Sequence, residues 1–292
     1  MNILITGGGG YVGTELLYSL EADQSTNRIV VYDNLSRNNY NLFIGKSKLR
    51  TSKVEFVQGD ILDSHKLKKE VDKADVVFHL AAKVTTSFAD HNPHEFDQIN
   101  NWGTAGLCHL IEKSNVKKFI YASSLSVYGA SEEEIDIEAP LDPKTFYGIS
   151  KKHGEGHVQV LQNSDIQTYI LRLGNIYGYS KSMRFDSVIN KFMFEANFKK
   201  RLCINGNGEQ SRSFIHIDQV SDQLTKIALT DLYPADTYNF VTSMFTINEI
   251  VDVIKSLYPE LEMVFVNQNM KMRSLMVKPD ERISELIAND QD

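Results

Sequence analysis

The sequence has 292 residues, of which 42% are hydrophobic and 24% are charged, and its net charge at pH 7 is −7. These values predict a globular protein with one large α/β domain or two unequal ones. The negative charge without a basic block argues against nucleic acid as a partner, and no apolar run reaches the ~20 residues that a membrane span needs.

The amino terminus and the cysteines indicate the compartment. The chain opens on a strand-like run, Asn2 to Thr6, without the charged segment that begins a signal peptide. Cys108 and Cys203 are too few and too far apart for a disulfide framework, and no His, Cys and carboxylate cluster has metal-ligand spacing. We therefore expect a cytoplasmic protein with reduced thiols and no metal.

A glycine-rich turn follows the first predicted strand. Gly7, Gly10 and Gly13 form a G-x-x-G-x-x-G pattern, and helical spacing of leucines begins directly after them. A turn between a strand and a helix amino terminus offers free N–H groups and the positive end of the helix dipole, which suit a pyrophosphate. The alternative is a merely flexible turn, and the pattern does not decide which glycine needs a positive φ.

The second predicted strand, 28–33, ends in an acid. Asp33 lies about 20 residues beyond the last glycine, where an acid binds the adenosine ribose of a dinucleotide. An acid there repels a 2′-phosphate and favours NAD over NADP, although Arg37 weakens that preference. The alternative is an Asp that only begins a turn.

Three further buried strands are predicted at 54–57, 75–82 and 118–122, with a long helix from His94 to Lys113. The fourth strand ends in small residues and the fifth in serines, which face the same crevice as the glycine turn if the strands are parallel. His79, inside an apolar run, is interpreted as a core residue. The alternation of strands and helices predicts an α/β fold with a doubly wound parallel (Rossmann) sheet.

Tyr147 and Lys151 are the candidate chemical centre. They are four residues apart, so on a helix they share one face. A tyrosine has a pKa near ~10, and an ammonium group nearby favours the phenolate. Such a tyrosine can exchange a proton with an alcohol or a ketone. Because this spacing is common by chance, its interpretation depends on the glycine turn, Asp33 and Ser124.

The ordered set of motifs resembles the extended short-chain dehydrogenase/reductase family, in its NAD-dependent nucleotide-sugar epimerase/dehydratase branch, with a UDP-glucose 4-epimerase-like pattern. The resemblance spans most of the chain and includes 6–13, 33–35, 59–61, 79–82, 100, 123–129, 147–151, 171–178 and 206–218. It implies NAD as cofactor and a nucleotide-diphosphate sugar as substrate.

The resemblance also assigns roles to individual residues. Ser124, Tyr147 and Lys151 would be catalytic, with Ser124 on the reacting sugar oxygen, Tyr147 as the acid/base and Lys151 on the nicotinamide ribose. Substrate would further contact Asn175, Arg212 and Arg273. The cofactor would contact Gly7, Gly10, Tyr11, Val12, Gly13, Asp33, Asn34, Asp60, Ile61, Ala81, Ala82, Asn100, Tyr147 and Lys151.

The second half of the chain departs from the family pattern. A helix is expected over 185–193, a strand over 238–241 and a helix over 247–257. Arg212 suits a diphosphate because a guanidinium can bind phosphate bidentately. The usual acid after it is Ser213 here, so a buttressing contact is expected to be missing. His216 and Asp218 are interpreted as starting a helix.

The residues after Ser124 bear on the reaction. Dehydratases of this branch carry acids there, whereas this chain has Leu125 and Ser126, and Leu125 cannot transfer a proton. The acidic run 132–134 is interpreted as a solvated loop. The sequence therefore predicts a 4-epimerase, with a dehydratase or a 4-keto-sugar reductase as alternatives and a non-catalytic NAD-binding sensor or scaffold as a further one.

The resemblance also implies a domain division and a quaternary structure. We expect an NAD-binding Rossmann domain over 1–175 and a substrate-binding lobe over 176–292, with part of 214–242 returning to the first domain. By analogy with the family, the protein is expected to be a homodimer that pairs the helix 96–114 with the helix carrying Tyr147.

Overall fold

The computed structural model describes residues 1–44, 49, 52–84, 92–267 and 272–283. Parts of the expected lobe, 268–271 and 284–292, lie outside the described residues. The described strands are β1 Asn2–Thr6, β2 Arg28–Asp33, β3 Val54–Gln58, β4 Val76–His79, β5 Lys118–Ser124, β6 Ser131–Ile135, β7 Gln167–Leu173, β8 Asn175–Tyr177, β9 Arg201–Asn205, β10 Ser211–His216, β11 Thr237–Phe240, β12 Ser243–Thr246, β13 Glu262–Val266 and β14 Leu275–Val277. The described α-helices are α1 Tyr11–Ala22, α2 Asn41–Ile44, α3 Ser64–Val71, α4 Pro93–Phe96, α5 Gly103–Glu112, α6 Phe146–Gln162, α7 Val188–Lys199, α8 Ile217–Leu229 and α9 Ile247–Leu257.

The main sheet has the predicted doubly wound form. Within the described residues, seven parallel strands lie in the order β11-β7-β5-β4-β1-β2-β3. The strands are rich in Val, Ile and Leu because helices cover both faces of the sheet. The carboxyl ends of β1, β2, β4 and β5 therefore meet at one edge, and this edge carries the site.

Two apolar clusters form the core of the main sheet. On one face, Leu16 and Leu20 of α1 pack with Val220 and Leu224 of α8. On the other face, Leu67 of α3 packs with residues of α5 and α6. Both α8 and β11 lie within 214–242, and β11 pairs with β7, so this stretch returns to the main sheet.

A second sheet stands beside the carboxyl edge of the first. Its strands lie in the order β12-β10-β14-β6, and β8 also pairs with β10. A separate parallel pair joins β9 and β13. Since β6 comes from the first half of the chain and β14 from the end of the described part, the second sheet joins both halves.

Several elements differ from their predicted bounds. The fourth strand ends at His79 rather than at Ala82, and the expected helix 94–113 contains a π-helical segment, Asp97–Trp102. The helix expected over 185–193 begins only at Val188, after Ser187 at its N-cap, and Asp186 before it pairs with Arg37 and Arg184. The helix Ile247–Leu257 has the predicted bounds, and His216 caps α8.

His79 is the core residue that the sequence predicted. It is fully buried, and its ring nitrogens lie 2.8 Å from the Thr6 hydroxyl and 2.9 Å from the Thr104 hydroxyl. Burial, with a smaller effect of the Lys151 charge, lowers the pKa of His79 to about 3. A neutral imidazole with both nitrogens bonded links β1 and β4 to α5.

Candidate active site

The glycine turn is built for close approach. Gly7 has a φ of +73°, and a Cβ on it would lie 2.5 Å from the amide nitrogen of Ala81. A Cβ on Gly13 would lie 2.6 Å from the Cα of Gly8. Gly7 is thus the glycine of this turn that needs a positive φ, and Gly13 lets α1 pack directly on the turn. Any side chain at either position would disturb the cradle at the amino terminus of α1.

A cleft of about 200 Å³ opens over this turn. Asp33 stands at its edge and accepts hydrogen bonds from the amide of Gly9 (3.0 Å) and the amide of Leu35 (2.8 Å). Because a carboxylate has about four acceptor positions, Asp33 retains capacity for ribose hydroxyls. The cleft is lined by these residues expected at the cofactor: Gly7, Gly10, Tyr11, Val12, Gly13, Asp33, Asn34, Asp60, Ile61, Ala81 and Ala82.

The residues of this cleft fit a dinucleotide. The glycine cradle would take the pyrophosphate, and Asp33 would take the adenosine ribose. On the far side of the cleft, the Asn34 side chain donates to Asp60 at 2.9 Å. The pair fixes the rim where the resemblance places the adenine.

Asn100 does not line the cleft and has another role. Its side chain accepts from the amide of Lys83 (2.8 Å) and donates to the carbonyl of Lys83 (2.9 Å) and to the Ser150 hydroxyl (2.9 Å). Asn100 therefore fixes the segment after β4 against α6. Its predicted cofactor contact stays a prediction.

A second, larger cleft of about 420 Å³ adjoins the first and contains the predicted chemical residues. Helix α6 brings Tyr147 there because Thr145 caps its first turn, accepting from the amide of Gly148 at 3.0 Å. A Cβ on Gly148 would lie 2.5 Å from the carbonyl oxygen of Ser126, so the helix start packs against the turn that carries Ser124. The residues that line this larger cleft include Ser124, Ser126, Tyr147, Lys151, Asn175, Arg184, Asp186 and Arg212.

Burial raises the pKa of Tyr147, while a hydrogen bond with Ser124 and the charge of Arg184 lower it. The net direction is upward. Tyr147 is therefore a neutral phenol in the absence of ligands. Ser124, whose hydroxyl can donate to the phenolate, and the positively charged Arg184 are the neighbours that stabilise it.

The ammonium group of Lys151 is directed at the strand below. It donates to the carbonyl of Ala122 at 2.6 Å and lies 4.6 Å from the ring centroid of Tyr121. Burial lowers the pKa of Lys151 to about 7, and the charge of Glu155 opposes this shift. The predicted tuning of Tyr147 by Lys151 stays a prediction, because the pKa of Tyr147 here follows burial, Ser124 and Arg184.

A buried ionic network lies directly behind Ser124, and its role was not predicted from the sequence. Glu155, one helical turn after Lys151, pairs with Arg172 at 2.9 Å and accepts from the Ser123 hydroxyl at 2.5 Å. Arg172 also donates to the Tyr128 hydroxyl at 2.7 Å. The available signal was a charged residue, Arg172, inside the buried run of β7. This network ties β5, α6 and β7 together at the site.

The expected phosphate side is formed by β8, β10 and the segment before β14. Asn175 donates to the carbonyl of Ser213 at 3.1 Å, and Arg212 donates to the carbonyls of Ser211 (2.9 Å) and Arg273. Burial lowers the pKa of Arg212, which has no carboxylate partner among the described residues. Arg212 is therefore a cation available to an anion in the cleft.

Arg273 contacts Arg212 through its backbone carbonyl, and the Ser213 hydroxyl bonds the backbone of β14. The Arg273 side chain is exposed and is not part of the cleft lining, so the structure does not bring it to the site. Ser213, which replaces the usual acid, donates to the carbonyl of Val277 (3.1 Å) and accepts from its amide (2.9 Å). The expected gap is thus filled by a hydroxyl that fixes β14 to β10.

Arg184 is a further site residue that sequence reasoning missed. It lines both clefts, and its guanidinium donates to Asp186 at 2.8 Å. Its positive charge acts to lower the pKa of both Tyr147 and Tyr11. No sequence motif indicates a role for Arg184, because 179–187 is an irregular segment without periodicity.

The positions after Ser124 carry no acid into the cleft. Leu125 is buried with Val127 and Val277, and Ser126 accepts a hydrogen bond from Ser124 at 3.1 Å. The acids 132–134 are exposed on β6. Among the described residues, Asp186 is the acid in the cleft lining, and it is paired with arginines.

Two further features of the described residues bear on the site's chemistry. None of the described His, Cys, Asp and Glu side chains group in threes that could hold a metal ion. In the same described part of the chain, every helix is too short or too polar to cross a membrane.

Comparisons with known proteins show which sequences and structures this chain resembles. Residues 3–239 match the model of the NAD dependent epimerase/dehydratase family. A dTDP-D-glucose 4,6-dehydratase of Mus musculus is 32% identical over 271 residues, covering 89% of this chain and 75% of that protein. A UDP-glucose 4-epimerase of Mycolicibacterium smegmatis is 28% identical over 232 residues, covering 77% and 72%.

A solved structure of a 4-epimerase extends the comparison to almost the whole chain. The UDP-glucuronic acid 4-epimerase of Bacillus cereus, in complex with UDP-glucuronic acid and NAD, superposes with a TM-score of 0.83. It is 25% identical, and the match covers 99% of this chain and 93% of that one.

Proposed function

Because the chain belongs to the NAD-dependent epimerase/dehydratase family, we propose that it inverts C4 of a nucleotide-diphosphate sugar through a transient 4-keto sugar. Bound NAD supplies the hydride acceptor and donor for this chemistry. The glycine cradle and Asp33 would hold NAD, and Arg212 and Asn175 would meet the diphosphate of the sugar nucleotide.

Tyr147 would take the proton of the sugar 4-hydroxyl and later return it. Ser124 would donate a hydrogen bond to the same oxygen, which orients it toward Tyr147 and stabilises the negative charge that develops on this oxygen as its proton moves to Tyr147. Lys151, fixed by the carbonyl of Ala122, would hold the nicotinamide ribose. Tyr147 would return its proton to the 4-oxygen of the keto sugar, whichever face of C4 has been reduced.

The observation that supports epimerisation over dehydration is the acid content of the cleft. Elimination of water needs a carboxylic acid near C5 and C6 of the sugar. The positions beside Ser124 are a buried leucine and a serine, and Asp186 is already engaged by Arg37 and Arg184. Among the described residues, the cleft therefore offers Tyr147 to move the proton of the C4 hydroxyl but no free acid suited to expel a hydroxyl.

A 4,6-dehydratase is the second candidate, since curated relatives with that activity are 31–32% identical to this chain. A net 4-keto-sugar reductase is a third. Mass spectrometry of reactions with a panel of UDP-, dTDP-, GDP- and CDP-sugars separates them. Epimerisation leaves the mass unchanged, so NMR of the same reactions distinguishes the C4 epimer from unreacted substrate. Dehydration removes one water, and reduction of an added 4-keto sugar consumes reduced cofactor.

The test of the mechanism is Tyr147→Phe, which removes only the phenolic oxygen. Loss of general acid/base catalysis is expected to lower turnover about 10²–10⁴-fold. The matched control is Tyr179→Phe, because Tyr179 is 74% exposed and lies outside both clefts. Full turnover by Tyr147→Phe would refute the mechanism. If the wild type turned over no nucleotide sugar, the alternative of a non-catalytic NAD-binding sensor or scaffold would be favoured.

We further propose a homodimer that pairs α5 and α6 with the same helices of a second copy. Exposed apolar side chains stand on or beside these helices, with Trp102 and Val160 each 63% exposed. Light scattering of Trp102→Glu is expected to show a monomer. Val253→Glu on α9, also 63% exposed, is the control and should keep the wild-type mass.

We also propose a reducing, cytoplasmic location. Cys108 and Cys203 are both unpaired thiols. Burial raises the pKa of Cys108 to about 12, so this thiol is inert.

A further inference from the structure

Arg37, the cation expected from the sequence to weaken the preference for NAD, is paired with a carboxylate outside its own loop. Arg37 stands in the loop after β2 and lines the cofactor cleft, near the acid that would hold the adenosine ribose. Its guanidinium pairs with the carboxylate of Asp186 at 3.3 Å. Asp186 belongs to the segment before α7 and lines the neighbouring cleft, so this ion pair spans the two.

The carboxylate of Asp186 is shared by two arginines. Its other oxygen accepts from Arg184 at 2.8 Å. Burial raises the pKa of Asp186, but the two arginines outweigh it and leave the pKa below its ordinary value. Asp186 therefore remains an anion at neutral pH and competes for Arg37 with any other anion.

The loop that carries Arg37 has a constrained backbone. Leu35 and Asn38 have φ values of 57° and 53°, in the left-handed region that a leucine rarely adopts. The amide of Leu35 donates to Asp33 at 2.8 Å, and the amide of Asn38 donates to the carbonyl of Leu35 at 2.9 Å. The turn is thus fixed on Asp33, and Arg37 leaves it in the direction of Asp186.

We propose that Asp186 is a cofactor-selectivity residue, which withholds Arg37 from a 2′-phosphate and so reinforces the preference for NAD over NADP. Asp33 would disfavour NADP by repelling the phosphate directly. Asp186 would add to this by pairing with Arg37, whose positive charge would otherwise offset the repulsion between Asp33 and the 2′-phosphate. A 2′-phosphate would have to break the Arg37–Asp186 pair before it could use Arg37.

The effect is limited by exposure. The Arg37 side chain is 52% exposed and that of Asp186 24%, so solvent screens the pair. We expect the selectivity contributed by Asp186 to be about two- to fivefold, below what Asp33 contributes by repelling the 2′-phosphate directly. This selectivity concerns the cofactor alone and is independent of which sugar reaction the protein performs.

The experiment measures exchange of the bound nucleotide. Purified protein is equilibrated with mixtures of NAD and NADP, and the bound fraction of each is read by mass spectrometry. Asp186→Asn keeps the shape and removes the charge, and it is expected to raise the NADP-to-NAD ratio about two- to fivefold. Asp252→Asn, on the exposed face of α9, is the charge-matched control and should leave the ratio unchanged.

Arg37 variants make the test decisive. Arg37→Ala alone is expected to leave the ratio at the wild-type value, because Arg37 is already withheld. In the Asp186→Asn background, Arg37→Ala should abolish the gain in NADP. An unchanged ratio in Asp186→Asn, a gain that survives in the double variant, or a loss of NADP in Arg37→Ala alone would each overturn the proposal.

Discussion

Replacing Arg172 by methionine should strongly destabilise the protein. Glu155 is 1% exposed and Arg172 is 5% exposed, so the change leaves a carboxylate in the interior without its partner. Breaking a buried pair in this way costs about 3–5 kcal/mol, a large part of the ~5–15 kcal/mol that a native protein has. Loss of the bond from Arg172 to Tyr128 acts in the same direction.

Removing both charges should cost less than removing one. The double variant Glu155→Gln, Arg172→Met leaves no unpaired charge, and we expect it to recover about 1–2 kcal/mol relative to Arg172→Met. The free energy of unfolding is measured in urea with two probes, whose coincidence checks for a single transition. A loss below about 1 kcal/mol in Arg172→Met would refute the reasoning.

A matched control lies on the surface. Arg201 pairs with Glu262 at 2.8 Å across β9 and β13, but both side chains are more than 60% exposed. Arg201→Met should leave the unfolding midpoint nearly unchanged, because solvent screens exposed pairs. The same arginine-to-methionine change would then separate burial from charge.

Three further outcomes are expected. Ser124→Ala removes a hydrogen bond that lowers the pKa of Tyr147, so the rising limb of turnover against pH should move to higher pH. In Lys151, burial lowers the folded pKa to about 7 against ~10.4 in the unfolded chain, so the unfolded state holds more protons between these values. Wild-type stability should therefore rise by up to roughly 4 kcal/mol from pH 7 to pH 10, and this rise should vanish in Lys151→Met in urea titrations. Gly13→Ala should abolish retention of NAD, assayed as nucleotide released on denaturation, whereas Gly106→Ala, whose Cβ meets nothing within 4 Å, should retain it.

Features set by local pattern were predictable from the sequence. The parallel sheet follows from apolar runs alternating with helical spacing, and the glycine turn from its position between β1 and α1. Tyr147 lines the same cleft as Ser124 because both stand where the carboxyl ends of parallel strands meet. The helix Ile247–Leu257 has its predicted bounds because its apolar residues recur with a clear helical period.

Features set by distant contacts were not predictable. Arg37 and Asp186 meet only because an irregular segment crosses the cofactor cleft, and Arg172 finds Glu155 because β7 lies under α6. The hydrogen bonds of Asn100 to Lys83 and Ser150 likewise depend on how the segment after β4 packs against α6. A motif gives the residue type, but only the packing decides which atoms it contacts.

The pairing of β6 with β14 has a consequence for the order in which the protein forms during synthesis. Strands of the main sheet are complete once β11 has left the ribosome, so the cofactor cleft can assemble early. The sheet that carries Arg212 must wait for β14, whose Val277 is bonded to Ser213 and paired with Ile135. Contacts so distant along the chain form slowly, and the substrate half of the site should therefore mature last.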